Sequence, residues 1–238
     1  MTAQVDVIRW GPERARTSPW RGDGRIAYLT PVADAPVPSA AFVKRCCDQL
    51  QRKGFDQVVT SALAPNEQVG FKAAGFEVAE HLYLLAHDLR SLPASPPAPA
   101  VIRRATGGDR PAVLAVDDLA FPPFWQLGEA GLDDALMATP RTRFRVARLA
   151  DQSVAGYAVT GRSGPRGFLQ RLAVRPDQRR RGLAQALVLD GLRWLRRRRV
   201  TRAMVNTQLD NQAALALYEG LGFRRESTGL SVLSLGLR

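Results

Sequence analysis

From Leu183 onward, apolar residues recur at Leu183, Leu187, Val188, Leu192 and Leu195. This is the i, i+4 spacing of a helix that buries one face, and it predicts a helix to about Arg198. Shorter apolar runs bounded by turn residues read as strands at 101–105, 143–149, 154–160 and 168–174. The turn Asp151-Gln152-Ser153 separates the second from the third, and GRSGPRG the third from the fourth. A helix over 109–120 and an apolar turn over 121–125 follow the first strand. Beyond the long helix the pattern predicts a strand over 203–207, a helix from about Asn211 closed by Gly222, and a final strand pair within 223–237. Alternation of this kind predicts an α/β or α+β layer of helices packed on a mixed sheet.

An offset of 145 residues lays the first part of the chain on this ending. The helix ending near Lys53 falls on the one ending near Arg198, strand 57–61 on 202–206, and Asn66 on Asn211. After a gap of two residues, Ala74-Gly75-Phe76 falls on Leu221-Gly222-Phe223, and each triplet leads into an apolar strand, 80–87 and 229–237. Between the copies lies SLPASPPAPA, residues 91–100, whose four prolines and lack of charge make a stiff, extended linker. The organisation expected is a reduced half-domain over 1–90, a linker over 91–100 and a complete domain over 101–238.

Composition bounds the function. No basic, apolar leader opens the sequence and no apolar run approaches the ~20 residues of a membrane helix, so a cytoplasmic protein is expected. Cys46 and Cys47 are adjacent and are the only thiols, which excludes a disulfide framework and a cysteine metal site. The formal charge is +12, but 31 of the 34 basic residues are arginine, a skew that coding bias can produce. Distribution is more telling: residues 1–90 carry 11 basic and 10 acidic groups, residues 91–238 carry 23 and 12. Anion attraction belongs to the second part.

Its focus is the run RRRGLA. Arg179, Arg180, Arg181, Gly182, Leu183 and Ala184 stand between a strand and the long helix. A helix start leaves ~4 backbone N–H groups without intrahelical partners and carries partial positive charge, so it suits a phosphate. Gly182 and Ala184 allow close approach of a ligand, and guanidinium groups pair well with phosphate oxygens. The same residues also read as a solvated basic helix start. Neither G-x-x-x-x-G-K-[ST] nor G-x-G-x-x-G occurs.

V-x-P-x-x-R-R-R-G-L-A followed by N-x-x-A-x-x-x-Y-x-x-x-G-F resembles the GNAT superfamily of N-acetyltransferases, over about 101–237. The resemblance implies a mixed, mostly antiparallel sheet flanked by helices and an acetyl-coenzyme A cosubstrate without a metal. It implies that the backbone of Arg179 to Ala184 cradles the pyrophosphate, and that Leu172, Ala173 and Val174 hold the pantetheine arm and thioester through their backbone. Asn211 corresponds to a pantetheine contact, and Tyr218 to the tyrosine that protonates the departing thiolate. Asn211 is also a good helix N-cap, and Tyr218 a plausible core aromatic.

Residues 91–238 contain no cysteine, histidine or lysine, which excludes covalent intermediates on cysteine or lysine and a histidine base there. Direct attack by an acceptor amine on the thioester is expected, with the acceptor a small molecule or a protein; a serine nucleophile is not excluded, but no G-x-S-x-G elbow supports one. The general base has no clear candidate: Gln170, Arg171 and Asn206 are not proton acceptors, which leaves a water chain or a carboxylate from elsewhere, and Asp117, Asp118 and Glu129 lie where the resemblance implies the acceptor site but read first as solvated helix charges. The stretch PVADAPVPS before the first helix has no arginine or glycine, and Phe71 stands near the position of Tyr218, so residues 1–90 should not bind the cofactor in this way. His81 and His87 share one face of their strand and read as packing or surface residues. Two alternatives remain, a non-catalytic acyl-coenzyme A sensor and a nucleic-acid-binding protein using the runs 179–181 and 196–199. The second run is equally a solvated helix end, where cations are favoured, so nucleic acid is the weaker expectation.

Overall fold

The computed structural model describes residues 6–21, 23–32, 35–94, 97 and 99–237. Ala33 and Asp34 of PVADAPVPS, and Ser95, Pro96 and Ala98 of the linker, lie outside the described residues. In chain order the elements are β1 (Asp6–Trp10), β2 (Glu13–Trp20), β3 (Asp23–Pro31), α1 (Ala40–Arg52), β4 (Gln57–Thr60), α2 (Gln68–Ala73), β5 (Glu77–His87) and β6 (Val101–Arg104). They continue as α3 (Arg110–Ala120), α4 (Glu129–Met137), β7 (Arg141–Arg148), β8 (Val154–Ser163), β9 (Arg166–Val174), α5 (Leu183–Arg197), β10 (Arg202–Gln208), α6 (Gln212–Gly220), β11 (Arg224–Arg225) and β12 (Leu230–Gly236). Two compact units result: Met1–Leu84 with Asn206–Asp210 and Glu226–Arg238, and Leu85–Val205 with Asn211–Arg225.

In the first unit the strand order is β1-β2-β3-β4-β12-β5. Among the described residues of this unit, β3 and β4 pair in parallel, joined by α1, and the other pairings are antiparallel. Helix α1 buries Phe42, Val43, Cys46 and Leu50 against Ala27, Leu29, Val58 and Leu233. Ser39 caps it, its hydroxyl accepting from Phe42 N at 3.2 Å. The Ser39 N–H in turn donates to the Glu13 carboxylate at 2.5 Å. The three strands before α1 go beyond the half-domain read from the sequence. Arginines on their exposed positions, such as Arg14 and Arg16, dilute the period-two apolar signal.

The final strands also differ from expectation, because they do not pair with each other. β11 pairs with Leu85 and Ala86 of β5, whereas β12 lies between β4 and β5. Leu233 N donates to Thr60 Oγ1 at 2.9 Å, and the Leu233 side chain is fully buried in the first unit's core. An apolar pattern says that a segment is a strand and which face is buried. It does not say which sheet has room for it, and here β4 and β5, joined through α2, leave a gap one strand wide.

In the second unit the order is β10-β9-β8-β7-β6, with β9 and β10 parallel and the other pairings among the described residues antiparallel. Strand β8 is buried on both faces, as a central strand must be. Tyr157 and Val159 pack with Val113 and Val116 of α3, and Ala155 and Ala158 with Leu183 and Leu187 of α5. All five residues that predicted α5 are buried. Gly191 lets this helix approach the sheet closely, since a Cβ there would sit 2.5 Å from Thr160 Oγ1. The expected mixed, mostly antiparallel sheet flanked by helices is the observed fold.

His87 is buried and His81 exposed. His87 Nδ1 accepts from Leu89 N at 2.8 Å, and its Nε2 faces Leu221 O at 3.1 Å. This fixes a neutral ring with its proton on Nε2, and burial holds its pKa below the ordinary value.

Candidate active site

Strand β9 pairs with β8 along its length but with β10 only at Arg166, Gly167 and Phe168, opposite Arg202, Ala203 and Met204. Beyond Phe168, among the described residues, that edge of β9 has no ladder partner. The backbone groups of Leu172, Ala173 and Val174 that face this edge are therefore available to a ligand.

After β9, a 3-10 turn at Pro176–Gln178 is stiffened by Arg175, whose guanidinium donates to Asp177 at 3.0 and 2.6 Å and holds that carboxyl well below its usual range. Arg181 is drawn back onto Gln178 Oε1 at 2.6 Å. Arg180 and Gly182 then adopt left-handed φ of 62° and 78°. For Gly182 this conformation carries no steric cost. Helix α5 starts at Leu183 with no capping side chain. Among the described residues, the backbone N–H groups of 180–184 donate to no protein acceptor. An uncapped helix start with a run of open donors fits the pyrophosphate of coenzyme A, and Arg179, Arg180 and Arg181 are all exposed beside it.

Asn211 caps α6, its Oδ1 accepting from Ala214 N at 3.1 Å. That leaves its side-chain NH2 without a partner among the described residues. Tyr218, two turns on, is 6% exposed and tilts against Phe223 at 5.6 Å between ring centroids. Its hydroxyl has no hydrogen-bond partner among the described residues, and burial pushes its pKa up, so it holds its proton at neutral pH.

Asp117 is not a solvated helix charge; it is fully buried. It accepts from Arg171 Nε and Nη2 at 2.8 Å each, from Leu127 N at 2.7 Å, and from the Tyr157 hydroxyl. Arg171 also donates to Trp125 O at 2.6 Å and stacks over Phe121 at 3.5 Å. One carboxylate and one guanidinium thus tie α3, β8, β9 and the 121–127 segment together. The sequence carries the signal for this: Val113, Val116 and Asp117 lie at i, i+3, i+4, which puts a carboxylate on a buried stripe where it requires a partner. Asp118 remains exposed, and Glu129 binds Arg110 at 2.6 Å near the surface.

Among the described residues no helix is long and apolar enough to cross a membrane. Residues 111–223 match the Acetyltransferase (GNAT) family. A mycothiol acetyltransferase of Thermobispora bispora is 32% identical over 169 residues, 64% of this chain and 57% of that protein. Its counterpart in Acidothermus cellulolyticus is 42% identical over 80 residues, 32% of this chain and 24% of that protein. The matches thus span little more than half of these relatives' length, or less. In fold, the chain is similar to a tandem GNAT protein from the clavulanic acid biosynthesis pathway, with a TM-score of 0.70 and 16% identity. That likeness covers 100% of this chain and 84% of the other. Residues 111–223 thus carry the match to the GNAT acetyltransferase family, and the chain has the fold of a tandem GNAT protein.

Proposed function

We propose that this protein is an acetyl-coenzyme A-dependent N-acetyltransferase acting on an amine, with its working site in the second unit. The observation that carries the reading is the uncapped start of α5, where the N–H groups of 180–184 stand open beside three arginines. The cosubstrate supplies an acetyl group activated as a thioester. Arg179 to Ala184 hold its pyrophosphate, the free edge of β9 from Leu172 to Val174 aligns the pantetheine arm, and Asn211 contacts the same arm. Tyr218 gives its phenolic proton to the departing sulfur as the amine nitrogen bonds to the acetyl carbon and the carbon–sulfur bond breaks. The proton lost by the nitrogen restores the phenol, which balances the transfer. Arg171 and Asp117 are positioning residues that fix the 121–127 segment.

Residues 1–90 act as a scaffold without a cofactor cradle. At the corresponding helix start the Glu13 carboxylate and the Ser39 hydroxyl already occupy two of the backbone donors that a phosphate would take, those of Ser39 and Phe42. One cofactor per chain is therefore expected.

The name of the relatives suggests the acceptor to test first, the free-amine form of mycothiol, followed by other small amines and peptide N-termini. Calorimetry with coenzyme A and a thiol-release assay across this panel test the reading. Turnover with any amine, lost in Tyr218→Phe while binding persists, supports it. Binding without turnover throughout supports a sensor instead, and no binding removes both.

A further inference from the structure

The α5-facing side of β6, β7 and β8 carries a second cationic feature. Arg104 lies opposite Arg145, Arg145 opposite Ala158, Arg143 opposite Thr160, and Arg141 opposite Arg162. Ala158 packs on Leu183 and Leu187 of α5, so all five arginines share the face that looks toward that helix. Among the described residues, one carboxylate serves them. Asp190 of α5 accepts from Nε and Nη2 of Arg143, at 2.7 and 2.9 Å, and lies 3.4 Å from Arg145 Nε.

Arg104 and Arg141 are exposed, but the groups between them are not freely solvated. The side chains of Arg143, Arg145 and Asp190 are only 18%, 20% and 25% exposed. The Nε atoms of Arg145 and Arg162 are buried without a hydrogen bond. Arg104, Arg141 and Arg162 have no ion pair among the described residues. Burial, then the neighbouring charge of Arg143 and Arg104, presses the Arg145 pKa below its usual value. The guanidinium stays charged regardless, because its ordinary value is so high. A partly desolvated cation with unmet donors is costly, and an oxyanion is the partner that meets both charge and fork geometry.

We propose that Arg104, Arg143, Arg145 and Arg162 form an oxyanion-binding site for a phosphate group, separate from the cofactor cradle. Asp190 is eight residues past Gly182, roughly 12 Å along the helix, so a phosphate here does not compete with one at 180–184. Asp190 holds Arg143 in place, and the Nη groups of Arg145 and Arg162, which bond to no described residue, are left for the ligand.

The test uses the full chain with saturating coenzyme A, so that phosphate at the helix start is already displaced. Inorganic phosphate, sulfate and glucose 6-phosphate are titrated against chloride at matched ionic strength, with thermal unfolding and calorimetry as readouts. Phosphate raises the melting temperature by several degrees, and affinity falls at least tenfold in Arg145→Met. Arg145→Lys retains charge without the fork and falls between the two. Arg179→Met changes coenzyme A binding but not this response. If coenzyme A fails to bind, the same titration without it, comparing Arg145→Met with Arg179→Met, still reads the site alone. A monoester preference identifies an organic ligand, and the reverse identifies free phosphate. No response to any of the three anions, or an equal response in wild type and Arg145→Met, overturns the proposal.

Discussion

Arg171 and Asp117 meet as a two-pronged pair, each of two guanidinium nitrogens 2.8 Å from a carboxylate oxygen, in side chains 11% and 0% exposed. Removing one partner strands the other in a dry site. Asp117→Asn and Arg171→Met are each expected to lower unfolding free energy by about 3–5 kcal/mol, and the double variant by less than their sum. Urea denaturation measures this; single losses below about 1 kcal/mol would show that the pair is dispensable.

Tyr218→Phe keeps the ring against Phe223 and loses a hydroxyl that bonds to no described residue. Stability and coenzyme A affinity should change little. The transfer rate should drop by about 10²-fold or more if the hydroxyl is the general acid, as thiol release in single-turnover mixing can read.

Gly182 sits at φ 78° immediately before α5. Gly182→Val forces a β-branched residue into that conformation at a cost on the order of 1–3 kcal/mol, and places a side chain where the pyrophosphate is proposed to lie. Coenzyme A affinity should fall far more than stability does. Equal coenzyme A binding by wild type and variant would remove the loop from the cofactor site.

His87 is neutral in the fold, with Leu89 N donating to Nδ1 and Nε2–H donating to Leu221 O. Its folded pKa lies below the ordinary value of 6.5. Its contribution to stability is therefore complete above pH 6.5 and is lost as pH falls through the folded value, because the unfolded chain takes up the proton first. Denaturation midpoints between pH 7.5 and 5 should decline in wild type and less so in His87→Gln.

Cys46 and Cys47 are buried in α1, and burial pushes both thiols up to about 12. At pH 8 neither should react with a thiol reagent until the first unit opens, so labelling follows unfolding. Because the unfolded thiols ionise near 9, stability from these groups is full below that value and declines as pH rises toward 12. Rapid labelling of the native protein would contradict the burial.

Much of the second unit was legible because its signals are local. The apolar stripe of α5 and the turn residues around β7, β8 and β9 need no knowledge of distant partners. Asn211 as a helix cap was equally local, since it rests on residues three apart. What escaped depended on distant groups. Asp117 was read as solvent-exposed because Arg171 lies 54 positions away and Tyr157 lies 40. The strand character of 230–236 was plain, yet its neighbours are residues 57–59 and 77–82.

That placement of β12 has a consequence for synthesis on the ribosome. The first unit is translated first and finished last, because its sheet stays open between β4 and β5 until residues 230–236 emerge. Until then both strands present unpaired edges, the surfaces most prone to joining with another chain. A fragment ending near residue 90 should therefore aggregate unless a peptide spanning 230–236 is supplied to fill the gap.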